Sequence, residues 1–239
     1  PTDMALGTVA EVAERAKVQP SAIVRFALAI GYGGFTEMQQ IFRSRLVAGA
    51  TPSYKERIAG LRRDGRFRSD NSPHDLLARF ASEGAVSLES AQEYVREDDL
   101  ARAIGIMAAA HTIYVVGLGG SFPVAAHLTY VLRRTGRRVV QLDGLGGALG
   151  DHPLTATAQD AVIAISFRPY NRDTVQIFPE FLARGVPGIA VTDSLLSPIV
   201  TGAAVAFEIP DMPEAALRTM VAPMCLVQSL AVGLTLALD

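Results

Sequence analysis

Apolar positions in the first thirty residues recur with the spacing of two short helices. Val9, Val12, Ala13 and Ala16 fall at i, i+3, i+4 and i+7, and Ile23, Phe26, Ala27 and Ile30 repeat the series after a break at Lys17–Gln19. Each helix therefore has one face to bury. Thr8 followed by Glu11 fits a capping box for the first, and Pro20 at the first position of the second leaves Gln19 as its cap. The stretch predicts a helix-turn-helix in which Ile23, Phe26, Ala27 and Ile30 are buried. Ser21, Arg25 and Leu28 lie opposite, flanked by Ala22 and Ala29. Further helices are expected over Phe35–Leu46, Tyr54–Arg63 and Ser87–Ala110, with breaks at Gly49–Ser53 and at the polar run Arg66–Pro73.

From Thr112 the period changes. Short apolar runs at Thr112–Val116, Val139–Leu142, Ala161–Ile165, Gly188–Thr192 and Ala204–Ile209 alternate with helical segments. Near-continuous apolar strands separated by helices predict a doubly wound parallel five-stranded α/β sandwich, covered on both faces. The expected organisation is an all-α helix-turn-helix domain over 1–50, a helical linker over 51–105 and the α/β domain over 106–239. The run Thr219–Leu238 carries no charge and is about long enough to span a bilayer. Pro223, Gln228, Ser229 and Gly233 interrupt it, and it lacks an aromatic belt, so it is expected to be buried between subunits rather than in a membrane.

Charge adds direction to the first segment. Residues 1–70 hold 11 Lys+Arg against 7 Asp+Glu, while 71–239 hold 11 against 17. A net +4 ahead of a net −6 suits an N-terminal module facing phosphates. The second helix would then enter a DNA major groove, with Gln19, Ser21, Ala22 and Arg25 as the expected contacts. A lone Cys225 excludes an intrachain disulfide or a cysteine metal site. His74, His111, His127 and His152 show no metal-ligand spacing, so neither metal nor cofactor is expected. Pro1–Gly7 lacks a basic segment followed by an apolar run, and a cytoplasmic protein is expected.

Candidate chemistry gathers where strands end, since doubly wound sheets bind ligands beyond their carboxyl edges. The first strand runs into Gly117-Leu118-Gly119-Gly120-Ser121, whose glycines and following helix start suit a small anion. The third ends in Ser166-Phe167-Arg168-Pro169-Tyr170-Asn171, with Asn171 placed to cap a helix, and the fourth in Thr192-Asp193-Ser194. The expected effector contacts are Gly119, Gly120, Ser121, Ser166, Arg168, Asn171 and Asp193. A dinucleotide fingerprint is incomplete, because Phe122 stands where the third glycine belongs, although Asp143 is near the position of the acidic residue.

The segments VAEVAERAKV at 9–18, IVRF at 23–26, IGYGGF at 30–35 and SYKERI at 53–58, together with IYVVGLGGS at 113–121, AISF at 164–167 and IAVTDSLLSP at 189–198, resemble the RpiR-type bacterial transcriptional regulators. That resemblance covers nearly the whole chain. It implies an N-terminal helix-turn-helix, a C-terminal sugar isomerase (SIS) domain, a double-stranded DNA operator, a phosphosugar-like anionic effector and a homodimer or homotetramer. It also implies a further helix before Pro1. Two departures stand out. Gln19 and Ala22 occupy positions where the family has Ser and Thr, and Ser166, Arg168, Pro169 and Asn171 stand at the S, S, G and T of its S-x-S-G-x-T phosphosugar loop. The alternatives are a regulator whose second domain only oligomerises, and a sugar-phosphate isomerase, for which Asp143, Asp151, His152 and Asp193 are the acid/base candidates near strand ends.

Overall fold

The computed structural model describes residues 8–30, 32–39, 54–65, 67, 72–210 and 217–238. The chain divides into two compact units, Pro1–Ser69 and Asp70–Asp239. The later part of the expected 51–105 linker thus belongs to the second unit.

In the first unit, α1 (Val9–Arg15) opens with the expected capping box. The Thr8 hydroxyl accepts from the Glu11 N–H at 3.3 Å, and the Glu11 carboxylate accepts from the Thr8 N–H at 2.6 Å. Lys17 turns the chain with a left-handed φ of 54°, and α2 (Pro20–Ala29) follows with Pro20 in its first turn. Its buried stripe is narrower than the periodicity predicts. Ala27 is buried and Ile23 half-buried, but Phe26 and Ile30 are 56% and 50% exposed. Among the described residues, α1 contributes Val12 and Ala13 as buried partners. Residues 35–39 are helical, with Met38 and Gln39 buried. The rest of the expected helix to Leu46, the break at Gly49–Ser53 and the arginines Arg66 and Arg68 lie outside the described residues. Helix α3 (Tyr54–Arg63) lies where the pattern puts it.

The second unit begins with α4 (Pro73–Tyr94), earlier than expected. What reads as a turn at Ser72-Pro73 is a helix start. The Ser72 hydroxyl accepts from the Asp75 N–H at 3.1 Å, while the Asp75 carboxylate accepts from the Ser72 N–H at 2.9 Å. The single helix expected over Ser87–Ala110 is broken at an extended Val95, after which α5 (Glu97–Ala109) starts with three acidic residues at its positive dipole end. Ser72→Ala should cost about 1 kcal/mol, the usual value of such a cap. Equilibrium urea unfolding of the two proteins measures it.

Strands β1 (Thr112–Val116), β2 (Arg138–Leu142), β3 (Ala161–Ile165), β4 (Gly188–Thr192) and β5 (Val205–Glu208) form one parallel sheet in the order β2-β1-β3-β4-β5. Every residue of β1, β3 and β4 is buried, as strands covered on both faces must be. Alternation divides the core. Ile113, Val115, Ile163, Ile165 and Val191 join the helix α6 (Phe122–Arg134), α5 and α9 (Val221–Leu238) on one face. Tyr114, Val116, Val162, Ala164 and Ala190 meet Phe178 and Phe181 of α8 (Arg172–Ala183) on the other, with the one-turn α7 (His152–Thr155) beside them.

Helix α9 gives one face to the core of its own chain, where Ala222, Leu226, Val227, Leu230, Ala231 and Leu234 are buried. The helix is long and apolar enough to cross a membrane by composition alone. Its outer face, with Val221, Cys225, Val232 and Leu236, is exposed.

Candidate functional site

In the order β2-β1-β3-β4-β5, the chain leaves β1 toward β2 and leaves β3 toward β4, so the connections diverge between β1 and β3 and open a crevice at their carboxyl ends. Two loops form its lips. Gly117 is required by packing, since a Cβ there would stand 2.9 Å from the Ala125 Cβ and 3.2 Å from the Ile165 carbonyl oxygen. Gly119 has φ +60°, and a Cβ on it would lie 3.6 Å from the Asn171 side-chain nitrogen, so first and second loops meet here. Open space surrounds Gly120, and the buried Ser121 leads into α6.

The second loop is tied down from within. Ser166 is buried, donates its N–H to the Val191 carbonyl at 3.0 Å and accepts from the Asn171 N–H at 3.3 Å. The Asn171 side-chain oxygen caps α8, accepting from the Thr174 N–H at 3.0 Å and the Thr174 hydroxyl at 3.3 Å. That same hydroxyl accepts from the Leu118 N–H at 3.3 Å, which fastens the first loop to the second. Gly119, Ser166 and Asn171 are thereby brought together, with Gly120 and Ser121 continuing the same lip.

Arg168 and Asp193 form a separate cluster on the β4 side. The Arg168 Nε donates to Asp193 at 2.8 Å, with the arginine side chain 62% exposed and the carboxylate 1%. Arg218 lies 3.9 Å from the same carboxylate oxygen, stacks 4.4 Å above the Phe167 ring and donates to the Ile209 carbonyl at 3.4 Å. Burial alone would push the Asp193 carboxyl up, but hydrogen bonds from Arg168 and Tyr170 outweigh it and hold the group below the usual carboxylate range. Tyr170 is pushed up, first by burial and then by the Asp193 charge. Asp193 therefore anchors Arg168 from beneath. Tyr170, Thr174 and Arg218 escape sequence reasoning; for Thr174 a signal existed, its spacing of three from the cap Asn171.

The acid/base candidates are engaged elsewhere. Asp143 accepts from the Leu145 N–H at 2.9 Å, Asp151 is exposed, and the His152 ring stands 6.4 Å from the Tyr114 ring. Among the described residues no group of three or more His, Cys, Asp or Glu side chains is placed to hold a metal. Two open clefts, of about 510 and 700 Å³, lie at the amino-terminal edge of the sheet, away from the loops. One is walled largely by small side chains, and in the other Arg137 donates to the Ala110 carbonyl at the end of α5, so neither converges on a ligand. In the first unit, Gln19, Ser21 and Arg25 are exposed and Ala22 is half-buried. Gln19 makes no side-chain cap bond, leaving its amide available.

Residues 106–233 match the model of the SIS domain. The sugar isomerase domain of an RpiR transcription factor from Sphaerobacter thermophilus is 25% identical, with a TM-score of 0.64 over 68% of this chain and 90% of that one. The NanR protein of Vibrio vulnificus, solved with ManNAc-6P, is 18% identical, with a TM-score of 0.63 over 99% of this chain and 81% of that one. An Escherichia coli protein solved with A5P is 19% identical, with a TM-score of 0.57 over 70% of this chain and 93% of that one. The last two speak to the fold alone.

Proposed function

The chain belongs to the SIS-domain family, and on that premise we propose that it is a DNA-binding transcriptional regulator controlled by a small anionic metabolite, a phosphosugar or related intermediate of carbohydrate catabolism. One observation carries this reading: a capped two-helix unit with an exposed Gln19, Ser21 and Arg25 precedes a doubly wound sheet whose switch-point crevice is lipped by glycine backbone and hydroxyls. The likeness to an RpiR transcription factor supports it. The neighbours solved with ManNAc-6P and A5P support the class of effector. On this reading the crevice binds and performs no reaction, which the dispersal of Asp143, His152 and Asp193 into separate structural contacts supports. The protein would act as a cytoplasmic homodimer or homotetramer on a roughly palindromic operator.

Selection of genomic DNA fragments by the purified chain, followed by titration of sugar phosphates and sugar acids into the complex, tests both halves. Specific fragments released or tightened by one compound class are expected. Retention of no fragment above background would overturn the DNA-binding half. Ser121→Ala should weaken effector binding by about 0.5–1.5 kcal/mol, since one neutral hydrogen bond is lost while backbone donors remain. Isothermal titration of the effector found by that screen measures it.

A further inference from the structure

Charge in the second unit is segregated. Residues 71–239 set 11 Lys+Arg against 17 Asp+Glu, yet between Arg102 and Asp143 the chain carries Arg133, Arg134, Arg137 and Arg138 and no acidic residue. The four arginines flank one turn. Arg133 and Arg134 close α6, Gly136 turns the chain with φ +78°, and Arg138 opens β2, the strand at the edge of the sheet. Local roles occupy part of the set. The dipole of α6 favours cations in its last turn, the Arg133 Nε donates to the Val139 carbonyl at 3.2 Å, and Arg137 donates to the Ala110 carbonyl at the end of α5.

Arg134 and Arg138 are left over. Both are exposed, and neither forms a hydrogen bond or an ion pair with a described residue; Arg134 stacks 5.8 Å from the ring of Tyr130, itself 59% exposed. Arg137 and Arg138 share the wall of the open cleft of about 700 Å³ with the exposed His111. Asp160, which precedes β3 at this end of the sheet, is buried and accepts from the Thr112 N–H at 3.0 Å and the Thr157 N–H at 2.8 Å. Guanidiniums strung around a turn, rather than converging on one point, suit a ligand that repeats its negative charge, and their forks match phosphate oxygens. A membrane surface would call for apolar side chains beside the cations, whereas Thr135 and Gly136 lie between these arginines.

Resting on the reading that this chain binds an operator, we infer that the edge carrying Arg133, Arg134 and Arg138 is a second DNA-binding surface, one that takes the phosphate backbone of the duplex and reads no bases. Phosphate contacts add affinity and position a protein without carrying sequence information. The second unit then contributes to how tightly DNA is held, while Gln19, Ser21 and Arg25 set which sequence is chosen.

The test is DNA binding by the full chain, followed by fluorescence anisotropy over a series of salt concentrations, for the wild type, Arg134→Ala/Arg138→Ala, Arg134→Lys/Arg138→Lys and Arg96→Ala. The probes are a duplex retained in the genomic selection and a scrambled duplex of equal length. The alanine pair should weaken both duplexes severalfold, leave their ratio unchanged and make the dependence of log affinity on log salt shallower by about two. The lysine pair keeps the charge and should stay near the wild-type salt dependence. Arg96→Ala removes a cation 3.8 Å from Asp98, outside this edge, and should change neither quantity. Affinity and salt dependence unmoved by the alanine pair would overturn the inference and leave the DNA-binding reading intact. An equal loss in Arg96→Ala would trace to net charge and overturn it too, as would a loss confined to the selected duplex. A loss accompanied by a smaller sedimenting species would make the edge a contact between copies and also overturn the inference. Wild type that holds neither duplex would remove it together with the DNA-binding half of the proposed function.

Discussion

Asp193→Ala should lower the unfolding free energy by about 3 kcal/mol. The carboxylate is 1% exposed, holds the Arg168 Nε at 2.8 Å and lies 3.9 Å from Arg218, so its removal breaks a buried ion pair at the strand ends. Arg168 can recover hydration at its exposed outer edge, which places the cost at the lower end of what breaking a buried pair entails. Asp193→Asn should cost roughly half as much, because shape and one acceptor survive. Urea unfolding followed by circular dichroism measures both, and a loss below about 1 kcal/mol for Asp193→Ala would show that the pair is not holding the strand ends together. The pH dependence has a fixed sign. A carboxyl held below its ordinary range in the folded chain stabilises fully above that range, near pH 3.9, and its contribution fades as pH falls through the depressed value. The stability gap between wild type and Asp193→Asn should therefore be flat near neutrality and close in acid.

Arg25→Ala should weaken operator binding by about 1–3 kcal/mol if the side chain reads a base edge, roughly five- to 150-fold in affinity. Arg25 is exposed on α2, and its neighbours on that face, Ala22 and Ala29, are too short to reach far. Preference at one operator position should relax with it. A uniform loss across sequences, with a salt dependence shallower by about one counterion, would instead make Arg25 a phosphate contact. Footprints and affinities unchanged by the substitution would remove α2 as the recognition helix.

The sheet was legible in the sequence because its physics is local. A strand buried on both faces reads as a short, nearly continuous apolar run, and Thr112–Val116, Ala161–Ile165 and Gly188–Thr192 are such runs. The parallel order follows from the helices between them, and the crevice follows from the order. Less was legible where the outcome depended on what happened to be nearby. Phe26 and Ile30 have perfect helical spacing and are still exposed, because periodicity says which residues share a face and nothing about whether a partner covers it. Ser72-Pro73 carries the chemistry of a turn and of a helix start alike, and only Asp75 three residues past the serine decides between them. The loop residues of the crevice could be named from their types. Their partners could not, since Arg168 meets Asp193 across 25 positions and Leu118 meets Thr174 across 56.

The exposed thiol of Cys225 sits on the outer face of α9, and it is the only cysteine in the chain. This chain therefore carries one chemically unique handle on the apolar surface that the sheet does not cover. A maleimide fluorophore or nitroxide attached there needs no substitution to be site-specific, and its labelling rate and probe-to-probe distances report directly on whether that surface stays open in solution or closes against another copy.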